Sequence, residues 1–110
     1  MGVTKSNIFT EEQNQLALLA KAIGHPARVS ILQHLFKLNS CVCGELVSEI
    51  GLAQATISQH LRELKEAKLI RGSIEGTSVC YCINQEKWSE MSLILGSFLN
   101  QKVSENTNCC

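Results

Sequence analysis

Apolar residues recur at helical spacing in several stretches of the chain, most clearly over residues 54–66. There Ile57, Leu61 and Leu64 recur at i, i+4 and i+7, which puts them on one buried stripe of a helix. The remaining arc carries short hydrogen-bonding side chains and an arginine, namely Thr56, Ser58, Gln59 and Arg62. The pattern therefore predicts an amphipathic helix with a polar, solvated face.

Two helices are predicted near the amino terminus. The first begins after Thr10, because Thr10 and Gln13 fit a capping box, and it ends at Gly24. Its predicted apolar positions are Leu16, Leu19, Ala20 and Ile23. The second begins with Pro26 at its first position, after His25 as a cap. Its predicted core positions are Val29, Leu32, Leu35 and Phe36.

A third helix is predicted over residues 40–50, with Ser40 as N-cap and Gly51 just after its end. Its inward residues are Leu46, Val47 and Ile50. Together with the helix over 54–66 it forms a helix-turn-helix, the unit that reads the DNA major groove. The alternative is an ordinary amphipathic hairpin in a small helical bundle. Ala53 is a poor cap, and we have no physical account of it.

After Leu69 the pattern changes to short segments rich in β-branched residues. Segments 70–74 and 78–83, joined by a turn over 75–77, predict a β-hairpin, or wing. Asn84 is a credible cap for a last helix. Its apolar side consists of Trp88, Met91, Leu95, Phe98 and Leu99. The predicted fold is mainly α with a small β-hairpin, a winged helix-turn-helix in the order ααααββα.

The chain of 110 residues is long enough for one domain with a modest core. We predict a flexible amino-terminal arm over 1–9, a DNA-binding and dimerisation domain over 10–101, and a flexible tail over 102–110 that ends in two cysteines. The first and last helices carry wider apolar stripes than so small a core can cover, so we interpret them as a homodimer interface. The alternative is that they pack only on their own domain.

Charge bears on whether the protein binds nucleic acid, and hydropathy bears on where it is located. The formal net charge is zero, which does not favour a strongly basic nucleic-acid binder. Residues 54–72 are nevertheless locally basic, with Arg62, Lys65, Lys68 and Arg71 against Glu63 and Glu66. No apolar run is long enough for a membrane helix, and the first residues lack the apolar core of a signal peptide. These observations predict a cytoplasmic protein.

Candidate DNA contacts follow from the predicted helix and wing. Gln59 suits adenine, Arg62 suits phosphate or guanine, and Thr56 and Ser58 suit bases or phosphates. At the helix start, Gln54 and Ala55 present backbone N–H groups to phosphate. The wing candidates for the flanking backbone or minor groove are Arg71, Ser73 and Thr77. His60 lies at the edge of the helix, where it either contacts DNA or caps the core. The alternative for the helix positions is an ordinary solvated surface.

Four motifs in order resemble the ArsR/SmtB family of metal-sensing repressors, in particular its arsenic-responsive branch. They are LAKAIGHPAR over 19–28, CVCGEL over 41–46, QATISQHL over 54–61, and the wing that follows Leu69. The resemblance covers nearly the whole chain. It implies a homodimeric winged-helix repressor that leaves its operator DNA when an inducer ion binds. The last helix lacks the Asp/His and His/Glu ligands of the family's zinc sensors, which disfavours zinc there.

The six cysteines come in three close pairs, and the first pair lies in the arsenic box. Cys41 and Cys43 are predicted in the first turn of the helix over 40–50, where a helix N-terminus lowers thiol pKa values. Such thiolates suit a soft ion such as trivalent arsenic or antimony. Residues two apart on a helix point to nearly opposite sides, so we hypothesise that ligand capture unwinds this turn and displaces the DNA-reading helix.

The family box often has a third cysteine where this chain has Leu46. Cys109 and Cys110 on the tail are the candidates for a third sulfur; the alternative is a non-functional terminus. A site with only two thiols would instead prefer an organoarsenical. Cys80 and Cys82 share one face of a strand, but their backbone positions are roughly 6.5–7 Å apart, which strains a shared ion. We interpret that pair as ordinary wing positions.

We therefore predict a DNA-binding repressor, not an enzyme, that trivalent arsenic, antimony or an organoarsenical releases from double-stranded operator DNA, with no organic cofactor. One alternative keeps the DNA binding but senses thiol oxidation. Alternatives of another class are a thiol oxidoreductase, which lacks a thioredoxin-like βαβ pattern here, and a metal-sequestering protein. The polar, locally basic helix face speaks against the last.

Overall fold

The structure is a computed structural model that describes residues 7–38, 42–43, 50–75 and 78–104. For residues 42–43, 73–75 and 78–79 it describes the backbone alone. The helices are α1 (Glu11–Ile23), α2 (Pro26–Leu38), α3 (Gln54–Glu66) and α4 (Gln85–Leu99). The strands are β1 (Val42–Cys43), β2 (Ile70–Glu75) and β3 (Ser78–Ile83). The mainly α fold with a β-wing is confirmed. The helix predicted over 40–50 lies largely outside the described residues, although Ile50 is helical.

The predicted boundaries of α1 and α2 are confirmed by their capping contacts. The Thr10 hydroxyl accepts a hydrogen bond from the Gln13 backbone N–H at 3.0 Å, and the Gln13 side chain accepts one from the Thr10 N–H at 2.9 Å. α1 ends at the cap Gly24, and α2 begins at Pro26. His25 caps α2, because its Nδ1 accepts a hydrogen bond from the Ala27 N–H at 3.0 Å.

The turn before α3 and the start of α4 also follow the sequence. Gly51 has a φ of +83°, a conformation that residues with a Cβ rarely adopt, so the glycine allows the chain to reverse here. Ala53 makes no side-chain capping bond, as expected from its type. Asn84 caps α4 by accepting a hydrogen bond from the Lys87 N–H at 3.4 Å.

The sheet has one strand more than we predict from the sequence. Its order is β1-β3-β2, and both pairings are antiparallel. The hairpin β2–β3 is the predicted wing, and β1 is added to the other edge of β3. In that pairing Val42 lies opposite Tyr81, and Cys43 lies opposite Cys80.

The prediction that Cys43 lies in the first turn of a helix is therefore wrong. The edge of β3 that faces away from β2 carries backbone N–H and C=O groups without partners in the hairpin. The strand at Val42 forms hydrogen bonds with this edge. Val42 is β-branched, which suits a strand, and Gly44 two positions later is a poor helix former. Ligand capture at Cys43 thus has no first helical turn to unwind.

The core lies between the helices and the inner side of the wing. Its most deeply buried aliphatic residues are Leu19, Ile31, Leu35, Leu64, Leu69 and Ile70, and Met91 contributes from α4. The predictions for Leu32 and Leu35 are confirmed, because both are buried. Those for Ala20, Val29 and Phe36 are wrong, because all three are exposed. α2 also buries Ala27 and Ile31, so its buried stripe is rotated from the predicted one.

α1 and α4 contact each other and leave a strongly apolar outer side. Leu93, Phe98 and Leu99 of α4 are each more than half exposed there. Leu18 of α1 is exposed on another side of the helix, beside Glu63 and Glu66 of α3. A groove between the two helices is lined by Leu16, Ile94 and Phe98. Of the helices in the described part of the chain, none combines the length and the hydropathy needed to cross a membrane.

Candidate nucleic-acid interface and thiol seam

The two faces of α3 follow the hydrophobic pattern. Ile57, Leu61 and Leu64 are buried against the core, with 6% or less of each residue exposed. The polar residues Thr56, Ser58, Gln59 and Arg62 are all exposed. α3 therefore presents one continuous polar surface to solvent, held in place by the apolar stripe behind it.

Hydrogen bonds order part of this surface. Arg62 Nη1 donates to Gln59 Oε1 at 3.2 Å, and Gln59 Nε2 donates to Glu63 Oε1 at 3.3 Å. Both ends of the Gln59 amide are thus engaged within the helix. A DNA base that binds Gln59 must replace these two hydrogen bonds. Only a base whose donor and acceptor match the amide would therefore bind well.

The start of α3 offers a second kind of contact. Gln54 and Ala55 are exposed, and no side chain caps this end of the helix. The first N–H groups of a helix lack internal partners and carry partial positive charge. This end can therefore accept a phosphate group.

His60 lies on the other side of α3 from these groups. Only 8% of the residue is exposed, and its Nδ1 accepts a hydrogen bond from Arg28 Nε at 3.2 Å. Its ring lies 4.4 Å from that of His25, centroid to centroid. Of the two roles that the sequence allows, this burial and the Arg28 hydrogen bond favour support of the core over a DNA contact.

The pKa of His60 is lowered by its surroundings. Burial is the largest cause, followed by the positive charge that His25 and Arg28 contribute; Glu63 acts in the opposite direction. The neutral ring is therefore favoured, and this is the form whose Nδ1 can accept the Arg28 hydrogen bond.

The wing is fixed to the helices at Asn84. Its Nδ2 donates to the Lys68 carbonyl at 2.9 Å, and its Oδ1 accepts from Arg71 Nη2 at 3.2 Å. Lys68 has a φ of +65°, so this bond supports the tight left-handed turn between α3 and β2. Arg71 is exposed and can reach the backbone of DNA beside α3. Ser73 lies on β2 opposite Cys80, and Thr77 lies outside the described residues.

β2 also packs closely on α3. A Cβ built on Gly72 would lie 3.2 Å from Lys65 Nζ and 3.1 Å from the Tyr81 ring. The absence of a side chain at Gly72 lets the lysine of α3 and the tyrosine of β3 approach the same point. Side chains of α3 and β3 therefore lie close together at this glycine.

Cys43 and Cys80 occupy paired backbone positions where β1 meets β3, a region that we call the thiol seam (Cys43 and Cys80). Cys80 is 1% exposed and is part of a disulfide bond. Cys82 is half-buried. Of the predicted ligands, Cys43 lies opposite Cys80 in the strand pairing, whereas Cys41, Cys109 and Cys110 lie outside the described residues. Among the residues with described side chains, no three His, Cys, Asp or Glu residues are grouped to hold a metal ion.

The pairing of Cys80 with Cys43 was not predicted from the sequence, because Cys80 was compared only with Cys82 on the same strand. Cys43 lies opposite Cys80 on the neighbouring strand. A signal for it exists in the sequence, since Cys-x-Cys occurs both at 41–43 and at 80–82. Two short strands with cysteines at the same spacing of two can pair with their thiols on one face.

Comparison with known proteins agrees with this arrangement. Residues 25–71 match the family model described as bacterial regulatory protein, arsR family. An uncharacterised HTH-type transcriptional regulator of Methanocaldococcus jannaschii is 37% identical over 74% of this chain and 91% of its own length. The transcriptional repressor PagR of Bacillus anthracis is 31% identical over 64% of this chain and 71% of its own.

A solved structure supports the same conclusion. NolR from Sinorhizobium fredii superimposes with a TM-score of 0.65 and 28% identity, over 80% of this chain and 84% of that one. The matched family model spans both the start of α2 and the whole of α3. The family and the relatives from M. jannaschii and B. anthracis are described as transcriptional regulators. The chain belongs to the arsR family of DNA-binding transcriptional regulators.

Proposed function

We propose that this regulator is a homodimeric, cytoplasmic repressor whose operator affinity falls when a thiophilic inducer binds its cysteines. The observation that carries the proposal is the position of the thiol seam. Cys80 lies on the wing strand β3, whose neighbour β2 packs on α3 at Gly72 and Lys65. A chemical change at the seam therefore acts close to the DNA-facing surface.

In the DNA complex α3 lies in the major groove. Gln59 reads an adenine, Arg62 binds guanine or phosphate, and Thr56 and Ser58 contact bases or phosphates beside them. The uncapped start of α3 at Gln54 and Ala55 receives a phosphate. Arg71, with Ser73 and Thr77 of the wing, contacts the flanking backbone.

The dimer forms through α1 and α4. Leu93 is 75% exposed and Leu99 is 73% exposed in the single chain, which is unusual for large aliphatic residues clustered on one side. Leu16 of α1 lines the groove beside Leu93. A second copy covers this surface and places two α3 helices for successive turns of a two-fold operator.

The inducer is a trivalent arsenic or antimony compound or an organoarsenical. Its ligands are Cys41 and Cys43, with Cys109 and Cys110 of the tail as candidates for a further sulfur. Thiolates suit such soft centres. Because Cys43 lies on β1 and not on a helix, the inducer acts by moving β1 against the wing and not by unwinding a helical turn.

A second candidate signal is oxidation of the thiols, and the disulfide at Cys80 favours it. A hydroperoxide would oxidise one thiolate to a sulfenic acid, with its oxygen–oxygen bond broken and an alcohol released. The second thiol then displaces water and closes the disulfide. Inducer binding and thiol oxidation would then both act at the thiol seam.

A band-shift assay tests these proposals. The wild type, Cys41→Ser, Cys43→Ser and a variant truncated after Asn108 are bound to an inverted repeat that the protein selects from random DNA. Arsenite, phenylarsine oxide and hydrogen peroxide are then added separately to reduced protein. Release by the arsenicals in the wild type but not in Cys43→Ser supports the first candidate, and release by peroxide alone supports the second. Retention of DNA under all three reagents contradicts both.

A further inference from the structure

We propose that Cys80 of the wing is the second sulfur of the inducer site, and that Cys43 and Cys80 together bind a trivalent arsenical across the β1–β3 seam. This inference rests on the proposed function. It takes Cys80, a residue of the folded domain, as the partner of Cys43 in place of Cys41 and the tail cysteines. It also assigns the partner of the Cys80 disulfide to Cys43.

The strand register carries the assignment. Cys43 and Cys80 are directly opposite in an antiparallel pair. Such residues have Cα atoms about 4.5–5.5 Å apart and side chains on the same face. A disulfide requires a Cα separation of about 4.4–6.8 Å, so this register position meets the requirement. The bond from Cys80 does not go to Cys82, the other cysteine with a described side chain.

The environment of Cys80 suits a chelating thiol. The residue is 1% exposed, in the middle strand of the sheet, with β1 on one side and β2 on the other. Its backbone is therefore held in place before a ligand arrives, so little conformational freedom is lost on binding.

Two thiols select one class of ligand. A monosubstituted trivalent arsenical, of which phenylarsine oxide is the simplest probe, offers two exchangeable positions. Its oxygen leaves as one water with the two thiol protons, two arsenic–sulfur bonds form, and arsenic remains trivalent. The arsenic atom then lies between two sulfurs that are directly bonded in the disulfide, so the two forms of the seam hold β1 and β3 at different separations.

The disulfide also excludes the ligand. Cys80 has no thiol to offer in its oxidised form. The seam therefore binds arsenical only after reduction, and arsenical protects it from oxidation.

The test measures arsenic stoichiometry on the full chain, reduced with a phosphine and freed of reductant. The wild type is expected to retain one phenylarsine per subunit. Cys80→Ala keeps a small apolar side chain in the core and is expected to bind about 100-fold more weakly, because the second bond no longer forms within the same site. Cys82→Ala changes a cysteine two residues along the same strand and is expected to bind as the wild type does.

Disulfide mapping by mass spectrometry gives a readout without arsenic. Peptides of protein treated with hydrogen peroxide are expected to link Cys43 to Cys80, and arsenical added first is expected to suppress that link. Should Cys80→Ala fold poorly, Cys43→Ser at the sheet edge makes the same prediction for both readouts.

The outcomes separate this inference from the proposed function. If phenylarsine oxide releases DNA from the wild type and from Cys80→Ala equally, the assignment of Cys80 is wrong while the repressor function stands. A link from Cys80 to Cys41, Cys109 or Cys110 likewise overturns the assignment. If the wild type binds one arsenical at Cys43 and Cys80 but keeps its DNA, the site stands and the proposed inducer is wrong.

Discussion

Arg28 Nε donates a hydrogen bond to His60 Nδ1 over 3.2 Å, and this contact joins α2 to the DNA-facing helix α3. Arg28 Nη1 also donates to the Ala22 carbonyl in the last turn of α1 at 3.3 Å. One side chain therefore connects three helices. The contact requires a neutral His60 ring, because a protonated Nδ1 cannot accept the Arg28 hydrogen bond.

The first prediction is a loss of stability in mild acid. The pKa of His60 is lowered in the folded protein, mainly by burial, with Arg28 from α2 and His25 from the preceding turn adding to this and Glu63 opposing it. The unfolded chain then binds the proton more readily, so the free energy of unfolding falls as pH drops through and below the unfolded value of 6.5.

His60→Asn tests this directly, because asparagine keeps an acceptor near the position of Nδ1 and does not titrate. Urea unfolding at pH 7.5 and 5.5 is expected to show a smaller decrease in the free energy of unfolding for the variant than for the wild type. Equal decreases in the two proteins would remove His60 from this account.

The second prediction concerns base reading by α3. Gln59→Ala is expected to lose about 1–3 kcal/mol of discrimination at one operator position, because a bidentate contact to a base is lost. Competition binding with single-base operator variants measures this. Gln33→Ala, at an exposed position of α2, is the matched control and is expected to bind as the wild type does. Unchanged discrimination in Gln59→Ala would place the reading surface elsewhere.

The third prediction concerns the dimer. Leu93→Glu places a charge at a residue that is 75% exposed in the single chain and that we place in the subunit interface. Burial of that charge without a partner is unfavourable, so sedimentation equilibrium is expected to shift toward monomer. Val29→Glu introduces the same negative charge at an exposed position of α2, outside this interface, and is expected to leave the dimer intact. A monomeric wild type, or a dimeric Leu93→Glu, speaks against this interface.

The fourth prediction concerns the junction between wing and helices. Asn84→Ala removes the bond to the Lys68 carbonyl, the acceptor of Arg71, and the cap of α4. We expect a loss of about 1–2 kcal/mol in the free energy of unfolding by urea, the range of a lost cap and its hydrogen bonds. Asn100→Ala, at the exposed end of α4, is expected to be near neutral. Equal stability of the two variants would mean that Asn84 does not hold the wing.

Local signals in the sequence were sufficient for most of the fold. The capping box at Thr10, the glycine at position 51 and the stripe Ile57–Leu61–Leu64 each depend on residues close together in the chain, and each is confirmed. The exposed face of α3 follows from the same stripe. The rotation of α2 was missed because Val29 and Phe36 are as apolar as the residues it buries.

Long-range pairing was not predictable in the same way. β1 has two residues, too few to show an alternating pattern, and its pairing partner follows 37 positions later at Cys80. The role of His60 was left open because a histidine at the edge of a helix suits either a base or a buried acceptor. Only the position of Arg28 on a neighbouring helix decides between the two.

The most direct test is fluorescence anisotropy of the complex between the reduced regulator and its selected operator during titration with phenylarsine oxide. We predict that the anisotropy falls to that of free DNA at about one arsenical per subunit, with a coupling of about 1–3 kcal/mol per site, and recovers when a small dithiol removes the arsenic. The double variant Cys43→Ser/Cys80→Ala is expected to stay bound throughout. Release of that variant at the same arsenical concentration would contradict thiol control through the seam.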